Sequence, residues 1–346
     1  MSQAHHHPSP DYLVTLDGRD ITPLMQPRLI ELTITDNPGF EADQLDIVLD
    51  DSDGALAMPA RGVVVNVAIG WRGDALIDKG TYNVDEVEHS GAPDRLTIRA
   101  RSADLRGRFH DKRNQSWHGT MLGAVISSIA ARNNLVPVIA QALADRAIAH
   151  LDQTDESDAN MLTRLARMHD SIATVKDRRL LLMPNGAGTT AGGTPLQPVT
   201  ITRSSGDQHR FAAADRDAYT GVLAYWHNTR TGQRESFLAG SENAPAGDDT
   251  TEPGAGSVKT LRHTYASLRN AREAAEAEWK RLQRAVAEFS LTLAIGQPEL
   301  IPELPTHVVG FRPEIDSADW IIKRLTHRLT PDSLTTAAEF QIRTSD

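Results

Sequence analysis

Apolar and polar residues alternate with a period of two through most of the first hundred positions, the pattern of strands with one buried face. Tyr12, Val14 and Leu16 alternate up to Asp17-Gly18, a dipeptide that favours a two-residue hairpin turn. Ile30, Leu32 and Ile34 follow and stop at Asn37-Pro38-Gly39, while Leu45, Ile47 and Leu49 stop at Asp50-Asp51-Ser52-Asp53-Gly54. Val63, Val65, Val67, Ile69 and Trp71 form the longest run, and Tyr82, Val84, Leu96, Ile98 and Ala100 complete the set. Short strands at such regular spacing predict a small barrel or sandwich over residues 1–110.

The period then changes. Trp117, Met121, Leu122, Val125, Ile126, Ile129 and Ala130 recur at helical spacing, with Asn133-Asn134 as the exit, and a second short helical stretch covers 140–147. Residues 150–186 read HLDQTDESDANMLTRLARMHDSIATVKDRRLLLMPNG. Ser157 can cap the helix that follows, and Asp155, Glu156 and Asp158 sit where the helix dipole favours negative charge. Met161, Leu162, Leu165 and Met168 make one apolar stripe, with Arg164 and Arg167 on the other side. Ile172–Val175 and Leu180–Met183 read as a hairpin around Asp177 and Arg178, closed by Pro184-Asn185-Gly186. The Gly/Thr/Pro-rich stretch 185–198 lacks the lysine-bearing phosphate-loop pattern and reads as a flexible connector.

Strand-like runs return at Val199–Thr202, Phe211 and Val222–His227, followed by a polar loop at 243–256 that is expected to be mobile. Leu268, Ala271, Ala275, Trp279, Leu282, Val286 and Phe289 mark one face of a long helix over 262–289, with Glu276 and Lys280 paired on its polar side. Further strands are predicted at 291–295, 308–311, 320–329 and 337–342. The fold class is therefore α+β, mainly β. It divides into a first β domain (1–110), a middle α+β domain (111–197) and a second β domain (198–346) with the inserted helix 262–289.

Composition narrows the chemistry. At 346 residues the chain exceeds one ordinary domain. It has no cysteine, which excludes disulfides and thiolate chemistry and fits folding in a reducing cytoplasm. No apolar run reaches the roughly 18 residues needed to cross a bilayer, and MSQAHHHPSP does not read as a secretory signal. The net charge of −10 is concentrated in residues 1–110, where 18 acidic side chains face 10 basic ones. Such a surface repels phosphate backbones, so no specific nucleic-acid binding is expected. Basic residues outnumber acidic ones over 259–289, which would suit contact between neighbouring subunits.

Candidate sites are few. His5, His6 and His7 could bind a divalent metal, but a Pro-flanked terminus is a poor place for a native site. Asp50–Gly54 resembles a calcium loop, yet Leu49 and Ala60 occupy its essential acidic positions. The H-E-x-x-H and G-x-S-x-G hydrolase patterns are absent. No catalytic, cofactor-binding or metal residue is assigned and no cofactor is expected. Trp279 and Trp320 read as core anchors, whereas Trp71 or Trp226 could reach a partner.

The run Q-x-x-E-S-D (153–158), with its helix bearing R-L-A and the hairpin after it, resembles the late control protein D family of contractile-tailed phages. Residues 21–37, 41–54 and 80–87 are similar to the first tube-like domain of that family. So are A-x-x-E-W-K-R (275–281), L-T-L-x-I-G-x-P-E-L (291–300) and W-I-I-K-R-L-T-H-R-L (320–329) to its C-terminal part. At the hairpin tip the family usually shows a glycine, where this chain has Asp177-Arg178-Arg179. The resemblance implies a structural, non-enzymatic baseplate hub, similar to the N-terminal part of type VI secretion VgrG spikes, with two tube-like β-barrel domains. It further implies a homotrimer that joins the six-fold tail tube to the trimeric spike by symmetry adaptation. The partners implied are the spike, a tube or tube-initiator protein and a tape measure protein, with no stable membrane insertion. The place implied is the virion tail after assembly in the host cytoplasm. The acidic excess would keep DNA from adhering to the channel. Competing readings are a concealed cell-wall hydrolase within 111–197 and a carbohydrate-binding recognition module.

Overall fold

The computed structural model describes residues 8–39, 41–102, 108–176, 178–213, 219–240 and 257–344. His5 to His7, Asp177 and the loop 243–256 lie outside the described residues.

The alternating N-terminal pattern folds as read. Strands β1 (Pro10–Leu16) and β2 (Arg19–Asp20) form a hairpin whose turn residues Asp17 and Gly18 both take positive φ, the conformation an Asp-Gly turn supplies at low cost. A one-turn helix α1 (Thr22–Met25) leads into β3 (Leu29–Asp36) and β4 (Gln44–Asp50). Strands β5 (Val64–Trp71), β6 (Ile77–Ser90) and β7 (Arg95–Ser102) follow. Every second residue points inward: Leu32, Ile34, Leu45, Ile47, Val65, Val67, Ile69, Tyr82, Val84 and Leu96 form one buried cluster.

The middle segment departs from its expected outline. Trp117 and Met121 are not helical; they belong to β8 (Lys112–Met121), and helix α2 begins at Leu122 and runs to Arg132. In β8 exposed residues alternate with half-buried Arg113, Gln115 and Trp117, but only Trp117 of that inner face is apolar, so no hydrophobic alternation announces the strand and its pairing decides its state. Strand β9 (Val136–Ile139) and helix α3 (Gln141–Ala144) precede β10 (Ala147–Ser157). Asp155 and Glu156 thus lie on a strand, paired with Lys112 and Arg164. Helix α4 (Asp158–Met168) opens with the expected cap, the Ser157 hydroxyl accepting a hydrogen bond from the Asn160 N–H at 3.2 Å. Met161, Leu162 and Leu165 are buried, while Arg164 and Arg167 are exposed. Hairpin β11 (Ser171–Lys176) and β12 (Arg179–Pro184) turns through Arg178, which takes the left-handed φ of 58° that a glycine would adopt freely. Helices α2 and α4 pack with these strands around a second buried cluster.

Stretch 185–198 is docked and is no free connector. The buried Gly186 donates its N–H to Glu303 at 2.8 Å, and Arg343 donates to the Ala187 carbonyl. A side chain at Gly188 would meet Pro305. After it come β13 (Val199–Thr202), β14 (Gly206–Ala213), β15 (Tyr219–Asn228), β16 (Gln233–Ala239) and β17 (Ser257–Tyr265). The long helix α5 spans Leu268–Arg284, shorter at both ends than expected. Its first predicted residues form β17, Val286 is exposed beyond its end, and Phe289 lies on β18 (Ala287–Leu293). Apolar spacing ran on because the strand after the helix places Phe289 inward by chance of phase. The α5 face of Ala271 and Ala275 covers the small sheet β16-β15-β17. Strand β19 (Pro305–Val309), a one-turn helix α6 (Pro313–Asp316), β20 (Trp320–Leu329) and β21 (Leu334–Ile342) complete the chain.

The two β regions, expected as separate units, share one sheet. Among the described residues its 13 strands trace the path β14-β18-β21-β20-β3-β4-β7-β6-β5-β1-β2, with β19 on β20 and β13 on β19. The junction is an antiparallel ladder between β20 and β3, Leu325 opposite Asp36 and Leu329 opposite Leu32. An echo accompanies it: α1 and α6 each carry a proline in the first turn, and each precedes a paired strand couple, β3-β4 and β20-β21.

Candidate assembly surface

A scaffold works through the rigidity of its seams and the chemistry of its open edges. At the β3/β20 seam the Lys79 ammonium sits 3.0 Å from the Asp36 carboxylate, both buried, so each charge is offset by the other. Beside them His327 is fully buried, its Nδ1 2.9 Å from Thr336 Oγ1. Burial and the neighbouring Lys79 charge depress its pKa to about 3, so it stands neutral in the fold. Outside, Arg328 pairs with Glu31 at 2.6 Å and Arg324 with Glu41 at 2.9 Å. Trp71 adds a second tie, its indole N–H donating to the Gly296 carbonyl at 3.0 Å.

The middle segment is fastened to the second β region by a buried cluster. Arg284, at the end of α5, forms a two-pronged pair with Asp170. Glu303 lies nearby, and burial pushes its carboxyl up to about 7 despite the N–H it accepts from Gly186. His169 is held neutral, its pKa lowered to about 4 by burial and by Arg146. Lys176 reaches Asp43 of the first β region at 3.3 Å. Within the middle segment, Asp158 is fully buried and is met by Arg132, Asn133 and Gln153. That explains the E-S-D run: its serine caps the helix, its glutamate binds Arg164, and its aspartate anchors the interior.

The sheet ends in two edges of unlike charge. Strand β14 pairs only with β18 among the described residues. Arg210 on β14 lines two adjoining grooves of about 530 and about 690 Å³. Arg281, Arg284 and Lys323 line the first with Glu288 and Glu339, and Arg203, His209 and Arg312 line the second with Glu314. The opposite edge, β1-β2, belongs to the acidic first region and carries Asp11, Asp17 and Asp20 against Arg19.

In the 50–54 loop, Asp50 accepts from Ser52, Asp51 accepts the Leu56 N–H and Asp53 forms a two-pronged pair with Arg28. The carboxylates of that loop are committed to protein donors. Trp320 is buried in the third cluster, with Phe211 and Phe289 against it, and Trp279 and Trp226 pack at the α5 sheet. What local spacing missed are the long-range ties Lys79–Asp36, Trp71–Gly296 and Arg284–Asp170. Each joins residues far apart in the chain that no short motif connects.

These seams organise a scaffold whose lineage is explicit in its sequence. A family model described as phage tail baseplate hub (GPD) matches residues 44–333. The chain belongs to the phage tail baseplate hub family. It is 46% identical to the probable baseplate hub protein of Escherichia phage P2, over 98% of this chain and 94% of that one. The hub fold is similar to the tail protein from Neisseria meningitidis MC58, with a TM-score of 0.68 at 13% identity and 96% of each chain covered. It is also similar to the E. coli c3393 protein, a component of the type VI secretion system. That likeness has a TM-score of 0.56 at 12% identity, covering 96% of this chain and 77% of that one. The hub is a structural component of a phage tail, mainly β, as the sequence motifs implied.

Proposed function

We propose that three copies of this hub close into a ring that joins a six-fold tail tube to a trimeric spike. The observation that carries the reading is the single sheet running through two β regions of one chain across β3 and β20. Each chain then offers two comparable β units, and three chains offer six, so one face meets a six-fold partner while the assembly keeps three-fold symmetry. The α1-β3-β4 and α6-β20-β21 echo supports the comparison of the two units. The units themselves are residues 1–110, 111–197 and 198–346, and a buried cluster centres on each, the first also taking in Leu329 and Leu334 and the second Phe109.

The partners are the trimeric spike on one side and the tube or tube-initiator protein on the other, with the tape measure protein in the channel. Work is done by interfaces and not by bond chemistry, in the baseplate of a virion tail assembled in the host cytoplasm. No observation favours a cell-wall hydrolase or a carbohydrate-binding module.

Coexpression of the hub with the spike from the same gene cluster tests this reading, followed by affinity capture and a peptidoglycan-release assay. Stable co-purification without lysis is expected. A hub that never captures the spike, or that releases peptidoglycan on its own, contradicts it.

A further inference from the structure

The two-stranded β8-β10 ladder carries a histidine pair that the hub function does not use. His118 and His150 stand directly opposite each other in the antiparallel register, and both are exposed. Their Nδ1 atoms are 2.9 Å apart and their ring centres 4.6 Å apart. On its far side His150 Nε2 lies 2.7 Å from Asp152 Oδ2, while Asp152 Oδ1 accepts from the Ser116 hydroxyl at 2.6 Å. Asp152 Oδ2 is thereby placed to accept the Nε2 proton of His150, with Ser116 holding the carboxylate from its other oxygen. The tautomer of His150 follows: its proton is on Nε2, and the Nδ1 lone pair is turned toward His118.

Two distances separate a linear hydrogen bond from a chelate. A linear N–H···N bond of this length would hold the ring centres about 5.2 Å apart. An ion about 2.05 Å from each nitrogen, with a right angle between its bonds, puts the nitrogens about 2.9 Å and the ring centres about 4.5 Å apart. A tetrahedral angle widens the two separations to about 3.3 and 5.2 Å. The pair matches the right-angled case in both, the geometry of square-planar or octahedral ions.

We propose that His118 and His150 chelate a late first-row divalent cation, Cu²⁺ or Ni²⁺, with Asp152 as the positioning residue. Imidazole nitrogens suit these ions, and a carboxylate behind a ligating histidine fixes ring orientation and raises basicity. Among the described residues no group of three or more His, Asp or Glu could enclose a metal, so water completes the coordination. The ion ties β8 to β10, which among the described residues have no third strand to brace them.

The test is Cu²⁺ titration by calorimetry and electron paramagnetic resonance on the full chain. His5→Ala, His6→Ala and His7→Ala are present in every arm, because terminal histidines bind the same ions. One Cu²⁺ per chain is expected, with superhyperfine structure from two nitrogens. The His118→Ala chain should lose that signal, and Asp152→Asn should weaken binding about ten- to a hundredfold. An unchanged far-ultraviolet circular dichroism spectrum in both variants separates loss of the ligand from loss of the fold. No binding to the parent, or the same spectrum and affinity in the His118→Ala chain, overturns the proposal.

Discussion

The indole N–H of Trp71 donates to the Gly296 carbonyl at 3.0 Å, a bond between residues 225 positions apart that ties the first β region to the last. Its partner is a backbone oxygen, so the bond can be removed only from the donor's side. Trp71→Phe keeps a ring against the N-terminal cluster while removing the donor, at the cost of some contact area. A loss of about 1 kcal/mol is expected, read as a lower midpoint of chemical denaturation with the slope unchanged.

Arg284 and Asp170 form the buried pair that fastens the end of α5 to the middle segment. Replacing the aspartate leaves a guanidinium buried without its counter-charge, which costs more than the pair itself gains. Asp170→Ala is therefore expected to destabilise by roughly 3–5 kcal/mol. Calorimetry should also resolve a separate early transition, because the middle segment loses its main electrostatic link to the second β region.

Glu303 gives stability a pH dependence of unusual sign for a carboxylate. Its folded pKa is raised to about 7 from a reference of 4.5, so the native state holds a proton that the unfolded chain has already released. Stability from this group is present below pH 4.5, declines as pH rises toward 7 and stays lower above it. Glu303→Gln removes the slope while keeping shape and polarity. Denaturation at pH 5 and pH 8 should show the native protein losing up to roughly 3 kcal/mol relative to the variant.

Ser157→Ala removes the side-chain acceptor that satisfies the Asn160 N–H at the start of α4. A loss of about 1 kcal/mol is expected by thermal or chemical denaturation, and Ser157→Asp should retain most of the stability.

How far the fold was legible depended on whether structure was specified locally. The N-terminal strands carry strict alternation with one buried face, and all of them form. The α4 cap and stripe, Ser157 with Met161, Leu162 and Leu165, were equally plain. Strand β8 was not, because Trp117 and Met121 happen to sit in phase with the helix that begins at Leu122. The same accident extended α5 to Phe289, which a strand places inward. Nor could any window foresee the β3/β20 ladder, the Lys79–Asp36 pair or the opposed His118 and His150, since each depends on bringing distant segments into register. Family motifs identified the scaffold, while its working seams became visible only in three dimensions.

The ring's stoichiometry sets everything else the hub does, and native mass spectrometry of the hub coexpressed with its spike measures it. A complex of three hub chains on one spike trimer is expected. A hub that remains monomeric beside the spike, or one that binds it in any ratio other than three to three, would contradict it.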